Sequence, residues 1–131
     1  MAAKHRVLIV EDDMGTSALL TQIVRRAGHE PLLARGGQEA LRHLADGHID
    51  LVLLDLMMRD MDGWTLLDTI REDDRICSPP VCIVSARHPR EDPERTAAYA
   101  AQIEAYFVKP FEVDQLVDKM AQILDGAAPP G

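Results

Sequence analysis

Four apolar runs in this chain end in groups that can do chemistry. Glu11, Asp12 and Asp13 follow VLIV (7–10), and Asp55 follows LVLL (51–54). Ser85 follows VCIV (81–84), and Lys109 with Pro110 follows YFV (106–108). Carboxylates drawn to one point repel and raise each other's pKa values. A hard divalent cation such as Mg²⁺ relieves that repulsion, because it takes oxygen ligands from one or two carboxylates plus waters and phosphate oxygens. Softer metals fit less well, since no His or Cys stands at these run ends. Asp55 is the most demanding position, one residue beyond a run that reads as buried, where an unpaired charge is costly. The remaining acids have plainer readings. Asp13 directly precedes a helical pattern and is placed to cap it. Asp60 and Asp62 belong to DMDG, a turn composition leading into a helix. A cis Lys109–Pro110 bond would aim the ammonium back at the acids.

These groups meet only if the runs are neighbouring strands. Continuous apolar runs suit strands buried on both faces of a parallel sheet. PLLA (31–34) is a fifth candidate, and Pro31, which has no N–H for a ladder, places it at a sheet edge. Helical patterns lie between the runs. The first holds Leu19, Leu20, Ile23, Val24 and Ala27 and stops at Gly28; the second holds Ala40, Leu41, Leu44 and Ala45 and stops at Gly47. Leu66, Leu67 and Ile70 mark a third. A fourth, from about Asp92 to Ala101, opens on Asp92-Pro93-Glu94, with Asp92 as N-cap, and its body TAAYAA has a weak apolar face. The fifth, with Val113, Leu116, Val117, Met120, Ile123 and Leu124, ends at Gly126 and is the clearest amphipathic helix. The alternation predicts a (βα)5 flavodoxin-like, doubly wound parallel α/β sheet with strand order 2-1-3-4-5. Ligands of such sheets bind beyond the carboxyl ends of the strands, where the polar residues stand.

Size and composition narrow the classes. At 131 residues and 47% apolar content, the chain holds one domain. Residues 1–125 read as that domain and 126–131 as a disordered tail or the start of a linker. The start MAAKHR has no apolar core of a signal peptide, and no run approaches a membrane span, so a soluble, cytoplasmic protein is expected. The net charge of −8, with no basic stripe, disfavours direct nucleic-acid binding. Cys82 reads as core and Cys77 as a loop or surface thiol, with neither a disulfide framework nor a zinc site.

The motifs VLIVEDD, LVLLDLMMRDMDG, VSA and YFVKPF, in that order over about residues 5–125, resemble the receiver domain of two-component response regulators. The resemblance implies that Asp55 accepts a phosphoryl group from a sensor histidine kinase or a histidine phosphotransfer protein. It implies Mg²⁺ held by Asp12, Asp55 and the Met57 backbone carbonyl, with Glu11 acting through water. Lys109 and the Ser85 hydroxyl would hold phosphoryl oxygens, and Ser85 and Tyr106 would form the switch. Such a domain is a phosphoacceptor rather than a classical enzyme. Its output goes to a downstream effector protein or a fused output domain, or through a phosphorylation-dependent homodimer. For that homodimer Lys119 stands where an arginine is used in one group, without the basic tail.

The sequence departs from the family in two places. Arg59 replaces a proline common after the phosphoacceptor; it could reach the acid cluster or a kinase surface, and solvent exposure is the favoured expectation. Gln102 stands where a glycine commonly ends the fourth helix, which predicts an end without a left-handed cap and a mobile helix. Three other functions fit the residues less well. An aspartyl phosphohydrolase needs a general acid two residues after its nucleophile, and Met57 cannot serve. A phosphorylation-independent interaction module would have lost an acid or the lysine, and all are present. Gly36-Gly37 is not the fingerprint of a dinucleotide fold.

Overall fold

The computed structural model describes residues 4–76 and 79–126. Cys77 and the tail beyond Gly126 lie outside the described residues, and so do the expectations placed on them. Among the described residues, five strands and five α-helices alternate. They are β1 (Arg6–Val10), α1 (Met14–Arg26), β2 (Glu30–Ala34), α2 (Gly37–Asp46), β3 (Leu51–Leu54), α3 (Gly63–Glu72), β4 (Val81–Ser85), α4 (Pro93–Tyr99), β5 (Ala105–Val108) and α5 (Val113–Asp125). Every strand pair is parallel, in the order β2-β1-β3-β4-β5. This is the flavodoxin-like doubly wound arrangement expected from the alternation, with the Pro31 strand at an edge.

The continuous apolar runs have their reason in the two-sided core. Successive side chains of a strand point to opposite faces. Leu8, Val10, Val52, Leu54, Val81 and Ile83 therefore join one core with α2 and α3. Val7, Ile9, Leu51, Leu53, Cys82 and Val84 join the other with α1 and α5. Cys82 is fully buried, and burial pushes its thiol up to about 12. β5 is the exception. As an edge strand it is only half-buried along its length, although its sequence is as apolar as the inner ones.

The ends of α1 and α5 follow their signals. The Asp13 carboxylate accepts the Thr16 N–H at 2.8 Å. Gly28 and Gly126, with φ of 91° and 68°, take the left-handed conformation past the ends of α1 and α5. The fourth helix starts at Pro93 with Asp92 in the N-cap position, as the residues predict, and only the expected capping bond is missing. Asp92 makes no side-chain cap bond. Its backbone, at φ −147° and ψ 68°, closes a preceding 3₁₀ turn, Pro89–Glu91, and that turn is capped by His88. The helix proper has seven residues, none buried, and passes into a second 3₁₀ turn at Ala100–Gln102. Positive φ at the described residues occurs only at glycine, so this end lacks a left-handed cap, as Gln102 predicts.

Candidate functional site

Parallel pairing carries the run-end residues to one edge of the sheet. The Asp55 N–H donates to Val10 and the Glu11 N–H to Ala34, so the two strand ends are locked in step. As a result one carboxylate oxygen from each of Glu11, Asp12 and Asp55 lies within 4.8 Å of the others. Glu11 and Asp55 are buried, with 1% and 5% of their surface exposed. From the far edge, the Lys109 N–H donates to the Ser85 carbonyl at 2.8 Å, which brings its side chain over the cluster. Lys109 Nζ lies 2.5 Å from Glu11 Oε1 and 3.7 Å from Asp55 Oδ2. The Lys109–Pro110 bond is cis.

The cluster is electrostatically crowded. Burial pushes Glu11 up to about 7, against the pull of Lys109 and of the Asp13 N–H, while Asp55 pushes it up further. Both Glu11 oxygens are engaged, one by Lys109 and the other by Asp13 N–H at 3.1 Å. Asp55 Oδ1 accepts the Met57 N–H at 3.2 Å. Asp12, more open, accepts the Arg59 N–H at 3.1 Å. The donor set is all oxygen, with three acids against one ammonium. That set fits a hard dication such as Mg²⁺, which would satisfy the excess negative charge.

The other expected residues fall around this cluster. Ser85 is fully buried and its Oγ accepts the Arg87 N–H at 3.2 Å, which leaves the hydroxyl proton unassigned to that bond. Tyr106 packs half-buried against the α2–α3 core and donates its hydroxyl to the Arg87 carbonyl. Burial raises its pKa. Met57, whose side chain is exposed, bridges to Asp62 across the turn after β3. Asp62 accepts the Trp64 N–H at 2.7 Å and so caps α3, as expected. The Arg59 side chain is 93% exposed, and its Nε stands 3.8 Å from Asp12 Oδ2, so it is both solvent-facing and beside the acids.

Asp60 holds a role that its turn composition does not reveal. Its carboxylate accepts the N–H groups of Gly37 and Gln38 at 3.0 and 3.2 Å, so it caps α2 from another loop. That explains the glycine pair. A Cβ on Gly36 would lie 2.6 Å from Asp60 Oδ1, and one on Gly37 would lie 2.6 Å from Met61 Sδ. Gly63 is tighter still, because a Cβ there would meet the Asp55 carbonyl oxygen at 2.5 Å. The only sequence signal for these contacts is a glycine, and a glycine does not say which neighbour approaches it.

The comparisons with known proteins agree with this architecture. The model of the response regulator receiver domain matches residues 7–121. The transcriptional regulatory protein PrrA of Mycobacterium tuberculosis is 36% identical over 119 residues, covering 91% of this chain and 49% of that protein. The chain thus spans about half the length of the curated relatives it matches. The N-terminal domain of a response regulator receiver protein from Methanoculleus marisnigri superposes with a TM-score of 0.75 at 33% identity, over 93% of this chain and 98% of that one. The response regulator TrrA from Thermotoga maritima, solved in complex with Mg²⁺-BeF, gives a TM-score of 0.77 at 30% identity, over 92% and 99% of the two chains.

Proposed function

The chain belongs to the response regulator receiver family of two-component systems, and from that premise we propose that Asp55 is its phosphoacceptor. The observation that carries the reading is the convergence of three acids within 4.8 Å, with Lys109 Nζ 3.7 Å from Asp55 Oδ2. An Asp55 oxygen attacks the phosphorus of a donor phosphohistidine in line. The P–N bond breaks, its electron pair leaves with the imidazole, and an aspartyl phosphate remains. Water attack on that anhydride later returns the carboxylate and releases inorganic phosphate.

Little covalent work is needed from other groups, so positioning and charge neutralisation dominate. Asp12, Asp55 and the Met57 carbonyl would hold Mg²⁺, which supplies positive charge to the phosphoryl oxygens when bound. Glu11 is already occupied by Lys109 and the Asp13 N–H, which favours contact through water. Lys109 hands its ammonium from Glu11 to a phosphoryl oxygen. The Ser85 hydroxyl, with the Ala86 backbone N–H, serves another oxygen.

Signalling follows as a population shift. Drawing Ser85 toward the phosphoryl group alters its bond to Arg87, and Tyr106 is tied to that same residue. The α4–β5–α5 face then repacks, and phosphorylation biases it only by its different contacts in the two states. The donor is a sensor histidine kinase or a histidine phosphotransfer protein. The readout is an effector protein or an output domain in a longer chain, in keeping with the half-length match to PrrA. Intact mass after incubation with acetyl phosphate and Mg²⁺ tests the proposal. A phosphate adduct is expected on the wild type and none on Asp55→Asn; an adduct that survives the substitution refutes Asp55 as the site.

A further inference from the structure

A cleft of about 420 Å³ opens beside the acid cluster, and Asp12 belongs to both. Three arginines line it: Arg35 from the β2–α2 connection, Arg42 from α2 and Arg59 from the β3–α3 connection. They gather there although the chain carries a net charge of −8. The neighbouring acids are engaged elsewhere. Asp60 caps α2, and Glu39 accepts the Arg35 backbone N–H and faces His43 at 4.0 Å. Arg59 meets Asp12 only at 3.8 Å. Among the described residues, neither Arg35 nor Arg42 has a carboxylate within the 4.0 Å of an ion pair. Both side chains are exposed.

A guanidinium presents a planar fork that matches a carboxylate in two parallel bonds. Three such forks around one space, two of them without an internal partner, suit several carboxylates held together. Nucleic acid suits the cleft less well. Asp12 and Asp60 interrupt the positive lining, no aromatic ring stands there for a base to stack on, and the whole chain repels a phosphate backbone. We infer that this cleft receives an acidic surface patch of the protein that donates the phosphoryl group. The inference rests on the receiver reading, because the shared Asp12 is what sets an occupant of the cleft against Asp55.

The test uses isotope-labelled chain without Mg²⁺, titrated with a short poly-glutamate peptide at low salt and followed by NMR. The Nε–Hε signals of Arg35, Arg42 and Arg59 should shift together. Binding should weaken on the order of tenfold in Arg35→Ala/Arg42→Ala/Arg59→Ala, and again on raising salt, since cross-interface charge pairs are desolvated and screened in this range. Arg25→Ala/Arg26→Ala, which removes two exposed charges from α1, should leave the affinity as it was. Should the triple variant lose its spectral dispersion, Arg42→Ala alone carries the test, because alanine is a good helix former at that exposed position. Absence of shifts at millimolar peptide, equal shifts at Arg25 and Arg26, an equal loss in the α1 variant, or tighter binding of an oligothymidylate at the same arginines each overturns the inference. The acetyl phosphate adduct on wild type is read in a separate sample, so failure of the receiver reading and failure of the cleft are told apart.

Discussion

Glu11 and Asp55 are carboxylates that fold into the protein at a cost, and their partners come from three other points in the chain. The meeting of Glu11, Asp12, Asp55 and Lys109 at one sheet edge was legible because each stands just past a run too apolar to face water. The cap from Asp60 to α2 was not legible, because its donors, at the start of α2, lie more than twenty residues away and no local pattern encodes the approach. The glycines make this testable. Gly63→Ala gains helix propensity, yet its Cβ would meet backbone at 2.5 Å. Overpacking of that kind should destabilise by about 1–3 kcal/mol. Gly15→Ala, whose Cβ would meet only Asp13 Oδ2 at 3.5 Å, should instead stabilise by roughly 0.5–1 kcal/mol. Urea midpoints of the two variants should therefore move in opposite directions. His29 offers a second residue-scale check, at the opposite end of the sheet. It is 4% exposed, and burial lowers its pKa. The nearby charges are mixed: Asp125 and Asp50 favour its protonated form and His5 opposes it. With a lowered folded pKa, the unfolded chain binds the proton better, so this contribution is lost as pH falls below the unfolded value of about 6.5. His29→Gln keeps an acceptor for the His5 N–H, and its loss of stability between pH 7.5 and 5.5 should be smaller than that of the wild type.

Among the elements, α4 starts where Asp92-Pro93-Glu94 predicts, but the way its start is held was hidden. Asp92-Pro93 is the helix start, but a separate 3₁₀ turn capped by His88 runs into it, and Asp92 closes that turn through its backbone instead of capping α4 with its side chain. With no buried residue of its own, α4 is held through Tyr99. That ring stacks on Trp64 at 4.7 Å and 10°, and its hydroxyl donates to Asp68 at 2.7 Å. Hydrogen bonding to Asp68 also raises the Tyr99 pKa. Tyr99→Phe should cost about 0.5–1.5 kcal/mol through the lost bond. Tyr99→Leu should cost a further share of the roughly 0.5–1.5 kcal/mol associated with aromatic pairing. Both can be read from denaturation midpoints, and only the second should markedly change Trp64 emission, since only it removes the stacked ring. Equal emission changes in the two variants would show that the hydroxyl, not the ring, anchors α4.

At the scale of the whole molecule, the strand order and the two-sided core were readable because long apolar runs, helix stops and one edge proline all favour the same topology. The half-buried state of β5 was not, since an apolar edge strand has the same composition as a central one. A dication bound only by the folded chain stabilises it by mass action. At a concentration ten times its dissociation constant, Mg²⁺ should add about 1.4 kcal/mol. Thermal denaturation should show that gain on the wild type and lose most of it in Asp12→Asn; an equal gain in the variant would move the ion elsewhere. The other edge strand, β2, bears on behaviour in a crowd. Glu30 donates its N–H inward to His5, so strand alternation turns position 31 outward, and there Pro31 has no N–H to offer. A sheet edge is a template on which stray chains can polymerise. A missing donor near the start of this one leaves a gap that an added strand would have to leave unpaired. The same proline that locates β2 thus helps keep neighbouring copies from zipping together into fibrils.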